Sequence, residues 1–354
     1  MARRKARRKL KITLLVLLAL GLAGFWLVQR WSATPYGRLD PRVAVFLKLT
    51  EMRGGRAAEA DLSIAESRLR LAKKAAAVAG RPAAMAEVRD LVAEANGLRV
   101  PVRVYTPEAG KRLPVVIFYH GGGWVQGSLD THDGVCRAIA RKSGSLVVSA
   151  DYRLAPEHPF PAAVDDAHAV LSWVHANGSL LKADVSRIAV AGDSAGGNLA
   201  AAVCLMARDR KGPAIALQVL IYPALDAAHL DTPSYGMFGE GYGLDRADID
   251  RYIAMYLPEP KDRASPLASP LLADDLAGLP PALVITAGFD VLRDEGGAYA
   301  RKLQAAGTAA RVTRYPGMIH GFVNADRLLP QARRATDEIG AAIRRVFAEG
   351  NAEK

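Results

Sequence analysis

An α/β fold is predicted, with a mostly parallel central sheet and helices on both faces, and three observations carry the prediction. Short apolar runs recur through the later part of the chain, helical stretches long enough for crossovers separate them, and the sharpest turn motifs sit directly at the ends of those runs. The runs are Leu98 to Tyr105, Val115 to Tyr119, Leu146 to Ala150, Ile188 to Ala191, Leu217 to Tyr222, Leu283 to Thr286 and Val312 to Tyr315. Several lack polar alternation, as strands covered on both faces require. The segment from Ala162 to Asn177 shows the helical counterpart. There Val164, Ala167, Leu171 and Val174 recur at three- and four-residue spacing, and Asn177-Gly178 suits a C-terminal cap.

Ahead of the first run, Val43 to Asn96 is rich in Ala, Glu, Arg and Leu and reads as helical. The stretch 226–264 breaks the strand and helix rhythm. Its Tyr235, Phe238, Tyr242, Tyr252 and Tyr256 suit either an apolar lid over the strand ends or a core helix.

Composition bounds the class. The 354 residues are 50% hydrophobic and 23% charged, which excludes a disordered, coiled-coil or collagen-like chain. With only Cys136 and Cys204, there is no disulfide framework and no cysteine-based metal cluster. The net charge of +11 suggests nucleic acid until its distribution is considered. Arg3, Arg4, Lys5, Arg7, Arg8, Lys9 and Lys11 supply seven of the cations, and removing those seven from +11 leaves +4 for the rest of the chain. That is an ordinary surface balance without a basic stripe, so no nucleic-acid partner is expected.

The basic head is followed by an uncharged apolar run from Ile12 to Val28, with Trp26 and Trp31 near its far end. At about 1.5 Å per residue its 17 residues span roughly 26 Å as a helix, close to the hydrocarbon thickness of a bilayer. A single N-terminal transmembrane helix is expected, cations on the cytoplasmic side and the rest of the chain outside. Gly21 and Ala23 also suit signal cleavage, which would leave a secreted or periplasmic protein. The apolar run continues through Phe25, Trp26, Leu27 and Val28, which favours retention.

Two glycine-rich turns carry chemistry. Gly192-Asp193-Ser194-Ala195-Gly196 follows the run Ile188 to Ala191 and precedes an Ala-rich helix. Small residues around a serine at a strand-to-helix junction permit the strained turn that exposes Oγ as a nucleophile. His120-Gly121-Gly122-Gly123-Trp124 follows the run Val115 to Tyr119. Three successive glycines cost chain entropy, and a loop that brings bare backbone N–H groups to a developing oxyanion, together with the N–H of Ala195, explains them. Of the seven histidines, His320 in Gly317-Met318-Ile319-His320-Gly321-Phe322 lies just beyond the last strand candidate and is the candidate base. Asp290, beyond Leu283 to Thr286, is the candidate acid, with Asp294 and Glu295 as rivals one turn later. The chain order serine, acid, histidine is one of the orders in which such a triad occurs.

Five blocks in order, His120 to Trp124, Asp151-Tyr152-Arg153-Leu154-Ala155-Pro156-Glu157, Gly192 to Gly197, Asp290 to Gly296 and His320-Gly321-Phe322, make the chain resemble the hormone-sensitive-lipase-like family of α/β-hydrolase carboxylesterases. The resemblance implies an α/β-hydrolase fold with a helical cap, and hydrolysis of short to medium acyl esters through an acyl-enzyme. It implies Ser194, Asp290 and His320 as catalytic residues, Gly122, Gly123 and Ala195 as oxyanion donors, an ester as substrate and no cofactor. In the family the acid is usually followed by proline; Val291 stands there in this chain. The organisation expected is a basic cytoplasmic head (1–11), an anchor or uncleaved signal (12–31), a helical cap segment (32–96) and a catalytic domain (97–354) with a second lid segment (226–264). Amidase or peptidase chemistry uses the same atoms. A receptor on this fold is expected to have lost its histidine, whereas His320 is present. A metal site at Asp165, Asp166, His168 and His175 lacks a matched i, i+4 histidine pair.

Overall fold

The computed structural model describes residues 2–54 and 62–352. Met1, Glu353, Lys354 and the side chains of Arg3 and Arg8 in the basic head lie outside the described set. The chain divides into two compact units, Met1–Ala60 and Asp61–Lys354.

The first unit begins with a long helix, α1 (Ala2–Ser32). Its stretch Lys9–Ser32 is long and apolar enough to cross a membrane, and none of its most apolar window is buried within the protein. Leu14, Leu18 and Phe25 stand well over half exposed, an arrangement costly in water and natural to lipid. A two-residue antiparallel pairing of Ala33–Thr34 with Gly37–Arg38 leads to α2 (Pro41–Met52), which Asp40 caps by accepting the Arg42 N–H.

The second unit opens with α3 (Ile64–Val78), started by a capping box in which Ser63 and Glu66 satisfy each other's backbone N–H groups. The sheet follows: β1 (Glu87–Ala95), β2 (Leu98–Thr106), β3 (Leu113–Tyr119), β4 (Leu146–Ala150), β5 (Ala183–Asp193), β6 (Leu217–Ile221), β7 (Ala282–Phe289) and β8 (Ala310–Ile319). Among the described residues these form one eight-stranded sheet in the order β8-β7-β6-β5-β3-β4-β2-β1. β1 and β2 pair antiparallel, β2 pairs antiparallel with β4, and every other pairing is parallel.

All seven strands expected from apolar runs are present, and β1 is a correction. Composition places residues 87–95 at the end of a helical segment; they form an edge strand, paired on one side only. Its exposed, charged residues suit an edge, and they hid it from a search for apolar runs. The sheet therefore begins ten residues before the expected boundary at 97. Asn96 and Gly97, at φ +54° and +76°, close the β1–β2 hairpin.

The core follows the period-two rule. Val115, Ile117 and Tyr119 on β3 join a cluster with α4 (Ala162–Ala176) and α5 (Ala195–Asp209) through Val164, Leu171, Leu199 and Val203. The alternate residues Val116 and Phe118 are equally buried and point to the opposite face, where the helices Asp133–Ser143 and Pro330–Ala352 pack together. From β3 the chain crosses to β4 on one side and then to β5 on the other, so β3 and β5 bound a topological switch point. Crevices for ligands form beyond the carboxyl ends of strands at such a point.

Candidate active site

The functional loops meet because their strands are neighbours. Tyr119 at the end of β3 lies opposite Gly192 near the end of β5, which sets His120-Gly121-Gly122-Gly123 beside Ser194. Phe289 at the end of β7 lies opposite Ile319 at the end of β8, which brings Asp290 to His320.

Ser194 has φ +55° and ψ −120°, a strained combination for a residue with a Cβ. The turn closes so tightly that a Cβ on Gly192 would lie 2.2 Å from the Gly196 carbonyl oxygen, and one on Gly196 would lie 1.9 Å from that of Tyr119. The Ser194 N–H donates to the Ile221 carbonyl at 2.8 Å, tying the turn to β6.

His320 joins the serine to the acid. Its Nδ1 lies 2.8 Å from Asp290 Oδ2 and its Nε2 lies 2.8 Å from Ser194 Oγ. A carboxylate only accepts, so Nδ1 carries the proton and Nε2 is left to accept from the hydroxyl. Asp290 is fully buried and its other oxygen accepts the Leu292 N–H at 2.9 Å. Val291 does not disturb this turn: its carbonyl accepts the Ser234 hydroxyl at 2.7 Å. The rivals face elsewhere. Asp294 accepts from the Ser234 N–H and Arg293, while Glu295 accepts from the N–H groups of Leu225 and Asp226 and the hydroxyl of Tyr235.

Gly122 and Gly123 adopt φ +126° and +62°. Gly123 and Ala195 line the same cavity as Ser194. That cavity, about 30 Å³, is walled mainly by Tyr235, Leu244, Ile249, Tyr252, Ile253 and Leu292. The aromatics of 226–264 thus divide. Tyr235 and Tyr252 line the cavity, whereas Tyr256 is fully buried and stacks on Trp124 at 4.5 Å, and Phe238 and Tyr242 pack against Phe289. Arg68 on α3 holds the far side of the glycine loop, donating to the Val125 and Ala155 carbonyls and bidentately to Glu157.

Asp166 and His168 do not converge. Asp166 is engaged by the backbone N–H and guanidinium of Arg153, and His168 Nδ1 faces the Asn96 amide. Among the described residues no group of three or more His, Cys, Asp or Glu side chains is placed to share a cation.

A buried set next to the serine escaped the sequence reading. Asp193, 4% exposed, accepts the Gly121 N–H at 2.8 Å and the Asn324 amide at 3.1 Å, with His132 Nε2 at 3.2 Å. Burial alone would raise its carboxyl; the charge and hydrogen bond of His132, with the Gly121 and Asn324 bonds, hold it below the ordinary value. His120 stacks between Tyr152 at 4.3 Å and His132 at 5.5 Å, and burial pushes its imidazole down to about 3. His120 is therefore a neutral packing element whose carbonyl accepts the Tyr152 hydroxyl at 2.7 Å.

A serine, a histidine and a buried aspartate in hydrogen-bonded sequence at the carboxyl ends of parallel strands define an α/β hydrolase, and the chain belongs to that family: a family profile for the alpha/beta hydrolase fold matches residues 116–324. The matched span contains all five blocks that carried the resemblance to hormone-sensitive-lipase-like esterases. Among curated relatives, Carboxylic ester hydrolase LipN of Mycobacterium tuberculosis is 44% identical over 312 residues, covering 86% of this chain and 82% of that protein. Carboxylesterase NlhH of the same species is 47% identical over 252 residues, covering 70% and 79%. Among solved structures, an ester hydrolase from the Lake Arreo metagenome superposes with a TM-score of 0.84 at 43% identity, covering 88% of this chain and 99% of that one. An esterase of Pyrobaculum calidifontis gives 0.78 at 46% identity, covering 81% and 94%.

Proposed function

We propose that this chain hydrolyses carboxylic esters of short to medium acyl length through an acyl-enzyme on Ser194. The observation that carries the reading is the unbroken relay from Ser194 Oγ to His320 Nε2 and from His320 Nδ1 to Asp290, each step 2.8 Å. Ser194 Oγ attacks the ester carbonyl while His320 Nε2 takes its proton, and Asp290 holds the imidazole and balances its positive charge. The oxyanion accepts from the N–H groups of Gly122, Gly123 and Ala195. Collapse breaks the bond to the alkoxy oxygen, which leaves with the proton from Nε2. Water then repeats the sequence on the acyl-enzyme and releases the acid. No cofactor enters the sequence.

The acyl preference rests on the cavity. Its walls beside Ser194 are mainly apolar, which suits an acyl chain. Residues 226–264 act as the lid over it, and α3 as a further part of the cap. The apolar surface of Lys9–Ser32 supports a retained single-pass anchor, cations on the cytoplasmic side and the hydrolase outside.

Ser194→Ala is expected to lower turnover of a four- to eight-carbon aryl ester by at least roughly a thousandfold, with folding intact. Comparable turnover by the pure variant, or faster cleavage of emulsified long-chain triglyceride by the native chain, overturns the reading. For location, carbonate-washed membranes should retain the full-length chain, and protease on intact spheroplasts should digest the hydrolase. A soluble product beginning near Gly24 identifies a cleaved signal instead, and a protected hydrolase reverses the topology.

A further inference from the structure

The residue before the serine has more partners than a turn requires. Asp193 ends β5, and its carboxylate faces donors from four separate parts of the chain. Oδ1 accepts the Gly121 N–H at 2.8 Å, two residues before Gly123. Oδ2 accepts the Asn324 amide at 3.1 Å, four residues after His320. The Tyr222 hydroxyl lies 3.4 Å from Oδ2, and the Tyr222 ring packs against the His320 ring with centroids 4.6 Å apart. His132 Nε2 completes the set at 3.2 Å from Oδ1.

We propose that Asp193 is a positioning residue for the hydrolysis, its carboxylate fixing the oxyanion loop, the nucleophile turn and the base loop against one another. The inference rests on the ester-hydrolase reading above. A charge this deeply buried is costly, and an apolar cluster of the same volume commonly serves stability as well or better. The geometry shows what the charge does in return. It uses the Gly121 N–H as an anchor, so the next two N–H groups of the loop are set relative to Ser194, which is bonded to Asp193 through the chain. Contact is close here: a Cβ on Gly121 would lie 2.8 Å from the Asp193 carboxylate. On the other side Asn324 and Tyr222 tie the His320 loop to the same group. The anchors lie 72 and 131 residues from Asp193 in the sequence, so chain connectivity alone does not hold these loops together. Donor and acceptor positions set to a fraction of an ångström matter most to the transition state, and least to ground-state binding.

Asp193→Asn tests this with little change of volume. An amide offers one accepting oxygen and one NH2 group and carries no charge: with the oxygen kept on the Gly121 N–H, the NH2 takes the place of Oδ2, and the Asn324 amide must turn over and the Tyr222 hydroxyl reverse to receive it, so the ties to the base loop rearrange. We expect kcat to fall by roughly ten- to a hundredfold with KM within about twofold. Affinity for a trifluoromethyl ketone, which forms a tetrahedral adduct on the serine, should fall with kcat/KM. Affinity for the unreactive methyl ether analogue should stay constant. Asp193→Asn/Asn324→Asp restores a carboxylate opposite an amide and should recover most of the lost kcat. Unchanged kcat in Asp193→Asn, an equal loss of affinity for both analogues, or no recovery in the double variant overturns the inference. Should Asp193→Asn not fold, Asn324→Leu removes a single tie at the base loop. It should lower kcat by roughly three- to tenfold at constant KM, and an unchanged kcat is then the overturning result. Failure of the ester-hydrolase reading looks different, because the native chain itself would then neither turn over esters nor bind the ketone.

Discussion

His320–Asp290 and His132–Asp193 are built from the same side chains, both lie in the buried floor around Ser194, and they differ in what the second imidazole nitrogen faces. His320 turns Nε2 to the Ser194 hydroxyl at 2.8 Å. His132 turns Nδ1 to the Thr131 hydroxyl at 2.8 Å, inside a loop where Thr131 also bonds to Ser128 on both its N–H and its carbonyl. One imidazole is open to a reacting atom, and the other is closed by its own loop. A His–Asp pair is therefore not by itself a sign of a base. The free nitrogen decides, and its surroundings give a pair the work of moving a proton or the work of holding a backbone in place.

Breaking the two pairs should separate these roles. His320→Ala is expected to cost at least roughly a thousandfold in kcat/KM, and because it leaves the buried Asp290 carboxylate without its imidazole it also costs stability, so the two variants are told apart by rate. His132→Ala is expected to cost about tenfold in rate and about 3 kcal/mol or more in stability, since it leaves the buried Asp193 carboxylate without the imidazole that faces it at 3.2 Å. Steady-state kinetics and urea unfolding on both variants measure the two axes. Equal losses of rate in the two variants would erase the distinction.

A smaller effect is expected at the glycine loop. Gly123 adopts φ +62°, and a Cβ there would lie 2.4 Å from the Tyr252 ring, at an atom next to its stem. Gly123→Ala is expected to lower kcat by about a hundredfold, as the loop that Asp193 anchors is forced out of line. Adding Tyr252→Ala relieves the contact but not the backbone strain, so recovery should be partial. Full recovery would show that the glycine serves only to make room for the ring.

The His320–Asp290 pair was legible in the sequence, and the His132–Asp193 pair was not. Ser194, Asp290 and His320 each follow an apolar run, so strand ends pointed to them, and parallel neighbours then delivered the contacts. His132 and Asn324 carry no such signal: they reach Asp193 from loops whose approach depends on how the chain packs beyond the sheet. Asp193 lies in the serine turn itself, but its partners stand 72 and 131 residues away, so nothing local in the sequence marks its contacts. The missed strand β1 had a usable signal in Asn96-Gly97, a two-residue turn pair that is among the strongest short-range marks of a hairpin. Its Ala- and Glu-rich composition outweighed that mark, because an edge strand need bury only one face and so lacks the apolar run by which the other strands were found.

A third buried carboxylate extends the comparison, since Glu295 has no histidine. It is 1% exposed and accepts from the N–H groups of Leu225 and Asp226 and from the Tyr235 hydroxyl, fixing a ring that lines the cavity beside Ser194. Burial is the larger influence and, against those three donors, pushes its carboxyl up to about 8. The folded value therefore lies above the unfolded one of 4.5, so the folded state binds the extra proton between them. Its contribution to stability is complete below about pH 4.5 and is lost as the pH rises through about 8. Glu295→Gln removes the titration and keeps the shape. The Gln oxygen can accept both backbone N–H groups, and the Tyr235 hydroxyl can reverse to accept from the new NH2. The difference in Tm between native chain and variant should thus shift in the variant's favour from pH 5 to pH 8, by roughly 5 °C. Thermal unfolding at the two pH values measures it, and because every other titrating group is common to both proteins, a difference that stays constant would show that Glu295 keeps its charge throughout.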